Sequence, residues 1–271
     1  MLTHTRGSAE LDPATRAFYC RVVEILSGAE IPFLVGGAYA LHLYTGIERH
    51  TKDFDIFFRP DDAPRALGVL AAAGYRTELT FPHWLGKVFG PDAFIDVIFS
   101  SGNGVAQVDD AWFAHAPAGE VLDMPVRLCP AEETIWSKGY VMERERYDGA
   151  DIAHILRAYG DRLDWQRLLK RFGLDWRVLL HHLILFGFIY PGERARVPEW
   201  VMAELLDRLH TELRGAPPAS RVCQGTLLSR EQYLIDIDEW GYQDARLTPR
   251  SSMSAEDVDR WTAGIDWDKM C

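Results

Sequence analysis

The chain is poor in cysteine, in long apolar runs and in positive charge, and each scarcity removes a class of protein. Its four cysteines in 271 residues, Cys20, Cys129, Cys223 and Cys271, are far apart, with no Cys-x-x-Cys and no Cys/His cluster at zinc spacing. That excludes a disulfide scaffold and a structural zinc site, and leaves reduced thiols of a cytoplasmic protein as the expectation. The N-terminus lacks a basic-then-apolar secretory pattern, and the greasy stretch 184–190 is far too short to span a bilayer, so no membrane association is expected. The formal net charge is −11, with 10 basic and 16 acidic side chains in residues 1–130 and 19 and 24 in residues 131–271. With no basic half, bulk attraction to nucleic acid is not expected, although a local patch remains open. The enrichment over 157–177, six basic against three acidic residues, reads as a solvated helical face. No internal repeat or low-complexity segment is present, and no Ser-His-Asp or Cys-His spacing points to covalent catalysis.

Residues 31–58, IPFLVGGAYALHLYTGIERHTKDFDIFF, carry the informative pattern. Residues 31–35 are a β-branched and aromatic run, and Gly36-Gly37 removes side chains where the backbone must turn and approach a ligand closely. A helix over 38–44 would begin on bare amides, whose unpaired N–H groups and dipole favour an anion such as a triphosphate. Residues 52–58 then read as a strand, in which Asp53 and Asp55 share a face. Two neighbouring carboxylates repel unless a cation lies between them. Mg2+ suits them, because it binds through a few carboxylates together with substrate phosphates.

An acid-x-acid pair alone is weak evidence, since Glu10/Asp12, Glu143/Glu145, Asp236/Asp238, Asp257/Asp259 and Asp266/Asp268 are also present. What separates Asp53/Asp55 is an apolar strand, where unpaired charge is costly, placed shortly after a strand, a Gly-Gly turn and a helix. With Val35-Gly36-Gly37 and Asp53-Phe54-Asp55 the stretch resembles the polymerase-β-like nucleotidyltransferase superfamily. The form Arg49-x-Thr51-x-Asp53-x-Asp55 is similar to the small bacterial branches that include the antibiotic nucleotidyltransferases and the AbiEii-type toxins. The resemblance implies a third carboxylate on a neighbouring strand, and Asp96, the one acid in the apolar run 94–99, supplies it.

What the resemblance implies is a phosphoryl site in which Asp53, Asp55 and Asp96 converge on two Mg2+ ions. Asp96 would also take the proton of the acceptor hydroxyl. Gly36 and Gly37 would donate N–H groups to the phosphates of a nucleoside triphosphate, with Arg49, Thr51 and Lys52 lining the same cradle. Lys138, in a helix pair similar to the one that follows the catalytic domain in these branches, would reach the triphosphate, with Asp151 orienting a basic side chain nearby.

Three functions remain open at this level: a small-molecule nucleotidyltransferase with a hydroxylated acceptor, a toxin-like transferase acting on tRNA or protein, and a nucleotide-binding regulatory module without turnover. Acidity favours the first over an RNA acceptor. Three charged side chains on apolar strands would cost stability with no cation to hold, which disfavours the third. Neither the acceptor, the nucleobase nor the oligomeric state is readable from the residues.

The expected architecture is α+β: a small mixed sheet with helices on one face over residues 1–130, then a mainly helical domain, 131–250, closing the cleft, and a peripheral tail, 251–271. Asp12-Pro13 caps a helix over 13–27, and Asp61-Asp62 a helix over 63–73. Strands are expected at 75–80, 86–89 and 93–99, with an edge hairpin over 120–128. Almost all of 131–213 reads as helix, with breaks at Gly160, Gly173 and Pro191-Gly192. Capping boxes are expected at Ser229-x-x-Gln232 and Ser254-x-x-Asp257. His154, His181-His182, Trp165, Trp176, Phe186 and Phe188 read as packing residues, whereas His83-Trp84 is placed as a candidate for the rim of the site.

Overall fold

A computed structural model describes residues 11–48 and 53–263, so Arg49, Thr51 and Lys52 lie outside the described residues. The chain divides into two compact units, one of Met1–Ser100 and Gln107–Pro130, the other of Ser101–Ala106 and Ala131–Cys271.

The first unit opens with α1 (Pro13–Gly28). Asp12 starts it by accepting the backbone N–H groups of Ala14 and Thr15 at 3.1 Å each, and Pro13 fills a first-turn position where no N–H is needed. There follow β1 (Leu34–Val35), α2 (Gly37–Thr45), β2 (Asp53–Phe57), α3 (Ala63–Ala72), β3 (Arg76–Phe81), β4 (Leu85–Phe89), β5 (Phe94–Ile98), α4 (Asp110–His115), β6 (Ala118–Val121) and β7 (Met124–Arg127). The expected first strand, 31–35, shrinks to two residues, because only Leu34 and Val35 find partners on β2.

The sheet order is β1-β2-β5-β4-β3, with β2 and β5 parallel and the other neighbours antiparallel. Period-two alternation divides it into two faces. Phe54, Ile56, Val88, Ile95 and Val97 are fully buried on one face. Tyr19 of α1 stacks on Phe54 with ring centroids 4.9 Å apart, and α3 contacts β3, β4 and β5. Helices therefore cover this face. The other face carries Asp53, Asp55, Lys87, Phe94 and Asp96, all half-buried. Burying a Phe- or Ile-sized side chain contributes about 1.5–3 kcal/mol, so the apolar register holds the carboxylates on the side away from α1 and α3.

The second unit is mainly helical: α5 (Ala131–Lys138), α6 (Gly149–Tyr159), α7 (Trp165–Phe172), α8 (Trp176–Ile189) and α9 (Glu199–Arg214), then β8 (Val222–Cys223), α10 (Leu234–Asp238), β9 (Gln243–Asp244) and α11 (Ala255–Thr262). Whereas 184–190 by itself is too short to span a bilayer, Trp165–Ile189 is apolar and long enough to cross a membrane by length and composition alone. Here it is broken by a 3-10 turn at Gly173–Asp175, and Leu168, Phe172, Leu179, Leu183 and Phe186 are buried. Arg167 and Arg171 pair with Glu133, whose side chain is fully buried.

Two sequence expectations change in this unit. The Ser254/Asp257 capping box forms on both sides. At Ser229 only one half forms: its hydroxyl accepts the Gln232 N–H at 3.1 Å, the Gln232 amide turns to the Met142 carbonyl, and the helix waits until Leu234. The segment expected as a peripheral tail is tied in as far as it is described. The Ser252 N–H donates to the Gly104 carbonyl at 3.0 Å, the Ser251 hydroxyl donates to the Asn103 carbonyl at 2.8 Å, and Met253 and Val258 are buried. The Asn103 amide in turn donates to the Leu227 carbonyl at 2.7 Å.

His182 on α8 is buried, with Nε2 2.9 Å from the Gly139 carbonyl. Burial pushes its pKa down from 6.5 to about 4, against the pull of that hydrogen bond and with the help of neighbouring His181. Between those values the unfolded chain takes up a proton that the folded chain refuses, so stability is lost as the pH falls from about 6.5 to about 4. Urea unfolding at pH 7 and pH 4.5 should show the parent losing about 2–3 kcal/mol more than His182→Gln, which keeps a donor and does not titrate. Equal losses in the two proteins would remove His182 as the cause.

Candidate functional site

Gly36 and Gly37 connect β1 to α2 in the space beside β2. The Gly36 N–H donates to the Asp55 carbonyl at 3.0 Å, and the Gly36 carbonyl accepts the Ala40 N–H at 3.2 Å to start the helix. A Cβ at Gly36 would lie 2.3 Å from the Phe57 ring and 3.0 Å from Cys129 Sγ. At Gly37, where φ is +56°, it would lie 1.7 Å from Asp55 Oδ2. Both glycines are therefore required by close approach, and the second also by its left-handed backbone. The residue at the start of α2, Gly36, has no side chain to cap it, and a helix start of this kind favours an anion.

Behind the turn, the Cys129 N–H donates to the Val35 carbonyl at 2.9 Å, and the Tyr44 hydroxyl donates to the Cys129 carbonyl at 2.7 Å. Cys129 is buried, and its thiol forms part of the wall against which the turn packs.

The carboxylates meet through strand register. Asp55 and Asp96 are paired positions of the parallel strands β2 and β5, with Asp53 one pleat away on the same face and level with Phe94. Asp96 is also opposite Lys87 in the antiparallel β4–β5 pair, and Lys87 Nζ lies 2.7 Å from Asp96 Oδ1. The same ammonium lies 3.9 Å from the centroid of the Phe94 ring. Burial raises the Asp96 pKa, the charge of Asp53 raises it further, and the hydrogen bond and charge of Lys87 oppose both.

Two phenols, Tyr19 and Tyr39, meet the Phe54 ring on the opposite, helix-covered face of the sheet, with ring centroids 4.9 and 5.1 Å away. Tyr19 and Tyr39 are each pushed up to about 12, in both cases chiefly by burial. All three aspartates add to the shift of Tyr19, and Asp55 adds to that of Tyr39. Both phenols stay protonated at neutral pH and add no charge.

The donor set fits a hard divalent cation: three carboxylates on one face, no thiol or imidazole among them, and a glycine cradle that a Cβ would fill. Among the described residues, however, no three His, Cys, Asp or Glu side chains are grouped as a ready-made cage. The three aspartates share a face without enclosing an ion between them. Mg2+ ordinarily retains waters or phosphate oxygens in its shell, and a triphosphate seated on the glycine turn would supply the latter.

The remaining candidates lie as follows. Lys138, at the end of α5, holds Asp148 and Asp151 at 2.8 Å each, so Asp151 engages a lysine from the neighbouring helix within the second unit. Burial pushes the Asp148 carboxyl up, but Arg146 and Lys138 outweigh it and hold it below the usual carboxylate range. His83 and Trp84 form the turn between β3 and β4. There Trp84 stacks on Phe81 at 6.1 Å and its carbonyl accepts the Phe99 N–H, beyond the Leu85/Ile98 end of the β4–β5 ladder.

Lys87 is not conspicuous in the sequence as a site residue. Its signal, one lysine inside the apolar run Leu85-Gly86-Lys87-Val88-Phe89, mirrors that of Asp96, but the pairing depends on a hairpin register that neither run specifies alone. Tyr39 has no signal in the sequence beyond nearness to the glycine turn, and Tyr19, in α1, has none.

Residues 19–85 match the model of the aminoglycoside-2''-adenylyltransferase family. This stretch, which contains Gly36, Gly37, Asp53 and Asp55, resembles the antibiotic nucleotidyltransferases; Asp96 and Lys138 lie beyond it. No curated protein matches the chain. Among solved structures, the antibiotic-resistance factor ANT(2'')-Ia aligns at 18% identity over 75% of this chain and 97% of its own, with a TM-score of 0.36. The lincosamide antibiotic adenylyltransferase LnuA aligns at 16% identity over 52% and 94%, with a TM-score of 0.38. An antigenic nucleotidyltransferase-like protein from Paracoccidioides brasiliensis aligns at 13% identity over 73% and 88%, with a TM-score of 0.35. TM-scores in this range are too low to equate the folds.

Proposed function

We propose that the chain is a nucleotidyltransferase that moves a nucleoside monophosphate from a nucleoside triphosphate to a hydroxyl of a small-molecule acceptor, with release of pyrophosphate. The observation that carries this reading is the register that sets Asp55 beside Asp96, with Asp53 on the same face and the Asp55 carboxylate against Gly37, inside or next to the stretch that matches the adenylyltransferase model.

Asp53, Asp55 and Asp96 would hold Mg2+, which supplies charge neutralisation at phosphate oxygens and at the departing pyrophosphate. The amides at the start of α2 would receive the phosphates through N–H donors and the helix dipole. The acceptor oxygen forms a bond to the α-phosphorus, and the bond from that phosphorus to the bridging oxygen of pyrophosphate breaks. The acceptor proton passes to the Asp96 carboxylate.

A chain of net charge −11 repels a polyphosphate acceptor unless a dense basic surface offsets the repulsion, whereas a cationic or neutral polyol approaches an acidic face without that cost. With Mg2+ and α-labelled triphosphates, label should therefore appear on a member of a panel of hydroxylated small molecules, aminoglycosides and lincosamides included, and not on bulk tRNA. Label on tRNA or protein alone would move the reading to a toxin-like transferase. No label anywhere, with the triphosphate still bound, would move it to a binding module.

A further inference from the structure

Among the described residues, Lys87 is a charged side chain of the carboxylate face that the proposed reaction does not use. Its ammonium lies 2.7 Å from Asp96 Oδ1, and the two side chains are only 23% and 18% exposed. It is held from two sides, by the carboxylate and by the Phe94 ring at 3.9 Å. The position follows from the sheet itself, because Lys87 and Asp96 are directly opposed in β4 and β5. An ion pair with both members mostly out of water is neither screened nor loosened as a surface pair is. A lysine nevertheless has a flexible four-carbon stem and a compact charge, so it can leave a carboxylate without moving the strand.

We propose that Lys87 is a resident counter-cation: its ammonium neutralises Asp96 until a divalent ion arrives, so that ion and lysine compete for one carboxylate. This rests on the reading of Asp53, Asp55 and Asp96 as the cation-holding face. The physical basis is charge balance. Asp55 and Asp96 are paired across β2 and β5 with Asp53 on the same face, and a half-buried cluster of carboxylates needs positive charge whether or not nucleotide is present. Lys87 supplies one positive charge to Asp96, and a divalent ion supplies two that also reach Asp53 and Asp55. Before nucleotide binds, the lysine keeps the face intact and weakens adventitious ion binding. Once a triphosphate adds its oxygens to the coordination shell, the divalent ion displaces it. The arrangement also accounts for aspartates that share a face without forming a cage, since one oxygen of Asp96 is engaged by β4.

The test is a titration of the full-length protein with Mn2+ alone, followed by electron paramagnetic resonance of the free ion, so that it does not depend on turnover. Lys87→Met should bind Mn2+ about tenfold more tightly than the parent, because a competing positive charge at hydrogen-bond distance has been removed. Lys87→Arg, which keeps the charge, should bind like the parent. In an Asp96→Asn background, Lys87→Met should change the affinity by less than about twofold, since the carboxylate they contest is gone. Should Lys87→Met fail to fold, Lys87→Gln keeps a polar side chain, removes the charge and carries the same expectation. Unchanged or weaker Mn2+ binding by the charge-removing variants would overturn the proposal. So would a raised KM for the triphosphate with Mn2+ affinity unchanged, which would put the ammonium on the phosphates. Asp53→Asn separates the two levels of inference. If Mn2+ binding falls in Asp53→Asn but ignores Lys87, only the counter-cation fails. If Mn2+ binding ignores Asp53 as well, the cation-holding face fails, and the proposal with it.

Discussion

Replacing Asp55 by Asn is expected to lower nucleotidyl transfer by about three orders of magnitude while leaving the thermal midpoint at or slightly above that of the parent. The side chains are nearly isosteric, so the amide fits the space against Gly37 that the carboxylate occupies. The backbone contributions of Asp55, its place in the β2–β5 ladder and its carbonyl accepting the Gly36 N–H, are untouched. What is lost is charge at the centre of the carboxylate face. In the folded protein without ligand that loss relieves repulsion from neighbouring acids, which is why stability should not fall. In the reacting complex the same charge offsets the cation that the triphosphate requires, and a neutral amide is a poor ligand for it. Initial rates of pyrophosphate release, with a melting curve followed by circular dichroism, measure both quantities. Retained turnover would remove Asp55 from the chemistry, and a collapse of the melt would make it a structural residue.

Gly37→Ala is expected to reduce transfer by about two orders of magnitude and to cost about 2–4 kcal/mol of stability, because two penalties meet at one atom. A left-handed φ of +56° disfavours any side chain, and the added Cβ would stand 1.7 Å from Asp55 Oδ2 and 2.7 Å from its Cγ. The backbone of Asp55 cannot retreat without breaking its ladder with β5, so the carboxylate must swing away from the glycine turn, and the site loses its geometry along with the fold energy. Gly46→Ala separates the two penalties. Gly46 has φ +71° but nothing within 4 Å of its missing Cβ, so its substitution should cost about 1 kcal/mol and leave transfer intact. Equal activity losses in both variants would show that backbone strain is responsible and not the approach to Asp55.

The carboxylates were legible in the sequence because charge on an apolar strand is expensive and therefore conspicuous. Asp53 and Asp55 alternate with Phe54 and Ile56, and Asp96 is the only acid among Phe94, Ile95, Val97, Ile98 and Phe99. The glycine turn was legible for the complementary reason, since its residues are defined by what they omit. The strand order was not legible. Nothing local in 53–57 or 94–98 states that β5 pairs with β2 in parallel while β4 lies on its other side, and only that order brings Lys87 to Asp96. The short helix Leu234–Asp238 escaped for another reason: its nominal cap, Ser229, and Gln232 are engaged by Glu143 and Met142, residues some ninety positions away. The attachment of 101–106 to the second unit is likewise a matter of hydrogen bonds: the Asn103 amide donates to the Leu227 carbonyl, and the Asn103 and Gly104 carbonyls accept from Ser251 and Ser252, which no local periodicity encodes.

The most direct test of the carboxylate face as the seat of nucleotidyl transfer is a crystal structure with Mn2+ and a triphosphate whose α,β-bridge resists cleavage, using the anomalous signal of manganese to place the ion. The expected result is manganese bound by Asp53 and Asp55 together with phosphate oxygens, and phosphates seated on the first amides of α2 at Gly36-Gly37. Manganese absent from these aspartates, or a triphosphate seated away from the glycine turn, would contradict it.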